Sequence, residues 1–248
     1  MPRPDLQFSD QRLADLYDLG NAGSDDRDFY LSLAGDSPQD ILDLGCGTGL
    51  LCLAYAANGH RVVGVDQAGA MLAVAKRAPL SDRVVWVESS SEDYLSEQRF
   101  DLIIMTGHAF QVLLTDIQVE ATLATMARHL KPGGLIAFES RNPALDWDSI
   151  WGRSYDMETP QGRVHAVRRM TDRSRAPDFL SFAWDYHFPD DVLTSDSTLR
   201  FLSADAIRAF VDRADVQVET ILGDWQGGAF DPDLSREMIF KLRRKDAE

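Results

Sequence analysis

Apolar residues along the chain follow two alternating rhythms. Short, largely apolar runs at Ile41-Leu42-Asp43-Leu44, Arg61-Val62-Val63-Gly64-Val65-Asp66, Val84-Val85-Trp86-Val87, Phe100-Asp101-Leu102-Ile103-Ile104-Met105 and Leu135-Ile136-Ala137-Phe138-Glu139 have the length and continuity of buried strands. Between them, residues 50–58, 68–77 and 116–130 carry apolar side chains at helical spacing; in the last, Val119, Leu123, Met126, Ala127 and Leu130 share one face. This alternation predicts an α/β domain with a largely parallel sheet between helical layers.

Both ends of that pattern are elaborated. Residues 9–19 place Leu13, Leu16, Tyr17 and Leu19 on one helical face, with Ser9 as the expected cap and Gly20-Asn21 as the stop. A second helix is expected over 26–34. Lys131-Pro132-Gly133-Gly134 reads as a turn ahead of the fifth strand. Beyond residue 140 the period changes to two over 163–170, 179–188 and 192–201, which predicts a small three-stranded antiparallel insertion. A helix capped by Ser203 and strands over 216–222 and 237–242 complete the chain, with a frayed charged tail from Arg243.

Composition narrows the chemistry. Among 248 residues, 40 acids against 25 Lys and Arg give a net charge of −15, which disfavours tracking a phosphate backbone and favours small-molecule partners. Cys46 and Cys52 are too few for a disulfide framework or a zinc site, so no metal is expected. The first residues lack the apolar core of a signal peptide and no apolar run has the length of a membrane span. A cytoplasmic protein without membrane contact is the expectation.

The candidate chemistry centres on residues 41–51. The first strand carries Asp43 near its end and runs into Gly45, Gly47 and Gly49, a turn that lets the backbone approach a ligand before a helix begins. The spacing Gly-x-Gly-x-Gly differs from the Gly-x-Gly-x-x-Gly of dinucleotide folds, which argues against a nicotinamide enzyme. Asp66 ends the second strand, where an acid accepts hydrogen bonds from ribose hydroxyls or else caps the following helix.

The octamer Leu42-Asp43-Leu44-Gly45-Cys46-Gly47-Thr48-Gly49 resembles motif I of the class I S-adenosylmethionine (SAM)-dependent methyltransferases. The ordered features from Ile41 to Glu139, including the turn at residues 130–134, extend the resemblance. It implies a Rossmann-like, doubly wound seven-stranded sheet with the last strand antiparallel and the fourth strand beside the first. It implies SAM as cofactor, with the glycine loop and Cys46 under its amino-acid end, Asp43 contacting that end, Asp66 on the ribose and Gln67 over the adenine. An N-terminal tyrosine, Tyr17 or Tyr30, is implied near the carboxylate of SAM, an aromatic that otherwise packs into the core. Where the family commonly has an acid for adenine, this chain has Ser90, Ser91 and Glu92.

The implied organisation is an N-terminal helical cap (1–35), a SAM-binding core (36–140), an antiparallel insertion over the active site (141–201) and a closing helix and strand pair (202–248). Thr106 and Gly107 follow the fourth strand on the cofactor side. The family's Asn/Asp-Pro-Pro-Tyr/Phe motif for nucleobase or glutamine amides is absent there. His108 instead offers a base near neutral pH. His108, Gln111, Arg141, Trp147 and Trp184 are the candidate acceptor-binding residues. The arginines Arg163, Arg168, Arg169, Arg173 and Arg175 either receive an acidic substrate or form the solvated face of a strand. The function expected is methyl transfer to N or O of a small molecule; RNA- or protein-directed methylation, or SAM binding without transfer, are the alternatives.

Overall fold

The computed structural model describes residues 4–20, 25–159 and 162–245. In chain order the elements are α1 (Leu6–Ser9), α2 (Gln11–Gly20), α3 (Asp25–Ser32), β1 (Asp40–Leu44), α4 (Leu50–Ala57), β2 (Arg61–Asp66), α5 (Gly69–Ala75), β3 (Val84–Glu88) and β4 (Phe100–Met105). Then follow α6 (Asp116–His129), β5 (Leu130–Arg141), α7 (Trp147–Ile150), β6 (Ser154–Thr159), β7 (Gly162–Asp172), β8 (Phe179–His187), β9 (Val192–Arg200), α8 (Ala204–Arg213), β10 (Val216–Leu222) and β11 (Glu237–Arg244).

The main sheet has the order β10-β11-β5-β4-β1-β2-β3, with β11 antiparallel to both neighbours and the remaining pairs parallel. The first and fourth strands are neighbours, as the resemblance implied. Period-two alternation divides the core between the two faces. Leu42, Leu44, Ile103, Met105, Ile136 and Phe138 pack with Val119, Leu123 and Ile207, while Ile41, Leu102, Ile104 and Ala137 pack with Tyr30, Cys52 and Tyr55 on the other face. Phe110, Phe138 and Phe240 stack at centroid separations of 4.4 and 5.2 Å, so the segment after β4 rests on the middle of the sheet.

Four expectations are corrected. The N-terminal helix is two pieces, α1 and α2, and Asp10 rather than Ser9 caps the second: its Oδ1 accepts the N–H groups of Arg12 (2.9 Å) and Leu13 (3.4 Å). Asn21 lies outside the described residues. The fifth strand starts at Leu130, which pairs with Phe100, and the expected turn at 131–134 sits inside it as an irregularity, the register jumping to Leu102 opposite Leu135 with Gly133 at φ +74°. The insertion has four strands, ordered β6-β7-β8-β9. β6 escaped the pattern because Asp156 and Glu158 interrupt its apolar character and Met157 is its one buried residue. Finally, Arg243 and Arg244 belong to β11 and pair with Glu219 and Asp215, each at 3.1 Å.

The second sheet and the N-terminal helices form one body above the carboxyl edge of the first. Leu13 and Leu16 pack against Met157, Val164, Ala166 and Tyr186. Gln7 donates its backbone N–H to Ser195 Oγ (2.8 Å) and its side-chain amide to Ser197 Oγ (3.2 Å). Among the described residues no helix is long and apolar enough to cross a membrane.

One glycine of the loop is a packing requirement. Gly49 adopts φ +78° at the start of α4, and a Cβ there would stand 2.3 Å from the Trp86 ring. Left-handed backbone and overpacking both oppose a side chain. Gly49→Ala should destabilise the fold by about 3 kcal/mol and lower the melting temperature by roughly 6–12 °C in thermal unfolding.

Candidate active site

The carboxyl ends of β1, β2 and β4 meet at one edge, where their connections must turn over the sheet. Gly45 and Cys46 both donate N–H to Val65 O, at 2.7 and 3.0 Å, which folds the glycine loop back over β2. Asp66 then ties two segments together. Its Oδ2 accepts Gly47 N–H and its Oδ1 accepts Ala68 N–H, both at 2.8 Å, so it fixes the glycine loop and the turn ahead of α5 at once. Burial pushes its pKa up, against the lowering effect of these two hydrogen bonds.

Between this edge and the insertion lies a cavity of about 520 Å³. Its floor includes Gly45, Gly47, Asp66, Gln67, Ser90, Ser91, Glu92, Thr106, Gly107 and His108; its roof includes Tyr17, Tyr155, Met157, Trp184 and Tyr186, and Arg141 also lines it. Thirteen residues singled out in the sequence thus share one cavity: those ten, with Tyr17, Arg141 and Trp184. Within its polar turn, Ser90 Oγ bonds Asp93 Oδ2 (3.0 Å), Ser91 Oγ lies 3.0 Å from Thr122 Oγ1, and Gln118 donates to Glu92 (3.3 Å).

Six others do not line it. Asp43 is buried, with Cys52 Sγ–H donating to Oδ2 (3.3 Å) and Oδ1 without a partner among the described residues. Cys46 stands beside Cys52 and Gly49 beneath Trp86. Gln111 is buried between Arg200 O, to which Nε2 donates (3.1 Å), and Arg141, whose Nη1 donates to its Oε1 (3.0 Å). Trp147 donates Nε1–H to Asn142 O (2.7 Å). Tyr30 is fully enclosed and donates to Glu139 Oε2, so of the two N-terminal tyrosines it is Tyr17 that lines the cavity.

His108 is held at both its main chain and its ring. Gly107 (φ +65°) and His108 (φ +60°) are successive left-handed residues, the second of them not a glycine. Glu139 Oε1 holds this turn by accepting His108 N–H at 2.6 Å, and Glu237 Oε2 lies 2.8 Å from His108 Nε2. Nδ1 is 4.0 Å from Glu139. Desolvation raises the pKa of Glu139, opposed first by the charge of His108. Neither glutamate was singled out. Glu139 could have been, as an acid at the end of a buried run like Asp43 and Asp66; Glu237, 129 residues from His108, gave no local signal.

The arginine cluster is not at the cavity. Arg163, Arg169 and Arg173 pair with Asp156, Asp185 and Asp148, and Arg168 is buried against Asp148 and the carbonyls of Gly152 and Trp151. Arg175 lies over Phe179.

Residues 41–134 match a family described as a methyltransferase domain. The chain is 28% identical to the cypemycin N-terminal methyltransferase of Streptomyces sp over 207 residues, covering 84% of each. It is 31% identical over 177 residues to a tRNA1(Val) (adenine(37)-N6)-methyltransferase of Porphyromonas gingivalis, covering 67% of this chain and 62% of that one. The CcbJ methyltransferase of Streptomyces caelestis shares the fold at a TM-score of 0.77 and 20% identity, over 94% of this chain and 96% of that one. The chain is a class I SAM-dependent methyltransferase. Its cofactor is SAM, which is bound in solved neighbours of the same fold.

In this methyltransferase, Asp43 gives a pH test. Its burial raises its pKa from 3.8 to about 7, so between these values the folded state holds the proton more tightly than the unfolded one. Stability from this group is full at acid pH and lost as pH rises toward 7. Asp43→Asn should therefore raise the melting temperature relative to wild type at about pH 8 and much less at about pH 5. Parallel thermal unfolding of both proteins at the two pH values checks it; equal shifts would refute the buried-proton account.

Proposed function

We propose that this methyltransferase transfers the methyl group of SAM to an amine nitrogen of a small molecule, with His108 as the base. The observation that carries the reading is His108 on the cavity floor, tethered to Glu237 and Glu139 beside the carboxyl end of β4. SAM supplies a methyl group already activated by its attachment to a positive sulfur. The chain's own task is to align the nucleophile, exclude water and remove one proton.

The residues fit that cofactor. Asp66, Gln67 and the 90–92 turn lie on the β2 and β3 side, suited to the sugar and base of the nucleoside. Gly45 and Gly47 leave backbone open at the end of β1, and the unpartnered Oδ1 of Asp43 just beneath suits a donor from the amino-acid end or a bridging water. Tyr17 covers this region from α2. The roof, built from the N-terminal helices and the insertion, excludes water.

Where Glu237 accepts Nε2–H, the neutral His108 ring presents its lone pair at Nδ1. The cavity is otherwise acidic, through Asp5, Asp66, Glu92 and Asp196, which attracts an amine in its protonated form. A relative that methylates an N-terminus, the cypemycin N-terminal methyltransferase, also supports nitrogen acceptance. The similarity to a tRNA methyltransferase supports a second reading, RNA as acceptor; the net charge of −15 weighs against it.

Methyl-labelled SAM incubated with separate panels of small amines, small alcohols and tRNA, with the label located by mass spectrometry, tests the reading. Label on amine nitrogen is the expected result. Label confined to oxygen or to tRNA would replace it.

A further inference from the structure

The charges of the cavity wall are unevenly divided. Among its described lining residues, Asp5, Asp66, Glu92 and Asp196 are acids, and Arg141 carries the one fixed positive charge. Arg141 and Glu237 are register partners across β5 and β11, which puts their side chains on the same face of the sheet. An ion pair is the expected outcome of that placement. It is not made, since among the described residues no carboxylate lies within 4.0 Å of the guanidinium, and Glu237 turns to His108 instead.

Arg141 is held by neutral groups. Nη1 donates to the amide oxygen of Gln111 at 3.0 Å, and the guanidinium lies over the rings of Trp151 (5.0 Å) and Trp147 (5.5 Å). These contacts fix a flat, forked donor without consuming its charge. Loss of hydration lowers its pKa to about 10, so it remains a cation at neutrality with unspent capacity for an anion.

Sheet order says which ligand this cation faces. From β1, which ends in the glycine loop, the nucleoside-side groups Asp66 and Ser90 lie toward β2 and β3, whereas Arg141 ends β5 two strands away on the opposite side. At roughly 4.8 Å per strand that is about 10 Å from β1, beyond His108 at the end of β4. We propose that Arg141 anchors a carboxylate of the acceptor, so that the substrate class is an amine that also bears a carboxylate. This deepens the amine reading above and rests on it. The proposal explains why an acidic cavity keeps one unpaired guanidinium: the carboxylate docks on Arg141, its amine lies toward His108, and Trp184 and Tyr186 cover the body between them.

Calorimetry on enzyme saturated with S-adenosylhomocysteine tests this, with L-phenylalanine and L-phenylalaninamide as probes that differ in the carboxylate. Wild type should bind the acid at least tenfold more tightly than the amide. Arg141→Met should abolish that preference, Arg141→Lys should keep part of it, and both should bind S-adenosylhomocysteine within about twofold of wild type. Failure of wild type to bind the acid, an amide bound equally well, or a preference surviving in Arg141→Met would each overturn the proposal. So would a tenfold loss of S-adenosylhomocysteine affinity in Arg141→Met, which would assign the guanidinium to the cofactor's own carboxylate. Failure of wild type to bind S-adenosylhomocysteine would strike the donor site instead, a separate result.

Discussion

His108→Ala should lower turnover of the amine acceptor by about a hundredfold, the scale at which a positioned general base contributes. S-adenosylhomocysteine affinity should stay within about twofold. The argument is geometric. The His108 backbone occupies a left-handed conformation that a non-glycine residue adopts at a cost of roughly 1–2 kcal/mol, and Glu139 and Glu237 hold both the main chain and the ring there. Glu237→Gln should produce an intermediate loss, because the amide keeps a hydrogen bond to the ring but not the charge that favours the imidazolium. Steady-state rates over a range of pH with calorimetry alongside separate the outcomes. A His108→Ala enzyme with normal kcat at every pH would remove the histidine from the reaction.

The second large effect falls on the donor. Asp66→Ala should weaken S-adenosylhomocysteine binding by about a hundredfold, or about 2.7 kcal/mol. Two contributions add. The carboxylate is the proposed acceptor for the ribose hydroxyls, and it also holds Gly47 and Ala68 through N–H groups at 2.8 Å, so its removal releases the glycine loop as well. Asp66→Asn separates them. It retains an acceptor for one N–H while losing charge, and should fall between wild type and alanine. Wild-type affinity in the alanine variant, measured by calorimetry, would leave Asp66 as a support for the loop and the turn ahead of α5 alone.

How far the sequence reached is clearest at particular residues. The strands β2 and β4 were legible to the residue, because parallel strands buried on both faces are uninterrupted apolar runs bounded by charge and turn signals. The cap of α8 by Ser203 was legible for a similar reason, being a contact across three residues. β6 was not, since its partner β7 supplies the burial that its own residues do not announce. Of the two readings of Asp66, the structure puts it on the cavity, while its carboxylate bonds Ala68 one residue ahead of α5 and makes no cap hydrogen bond to the helix itself.

By itself the sequence determined the strands and the glycine loop after the first of them, which depend on contacts within a few residues and on apolar period, while the sheet order and the cofactor class were implied by the resemblance of residues 42–49 to motif I. Only the tertiary structure decided which candidates face the cavity. It put Gln111 and Trp147 behind Arg141, enclosed Tyr30, paired Arg163, Arg169 and Arg173 with acids away from the cavity, and brought Glu237 to His108 from 129 residues away. The physical reason is that the direction of a polar side chain is set by the nearest competing charge and by burial, and both belong to elements joined across the fold rather than along the chain.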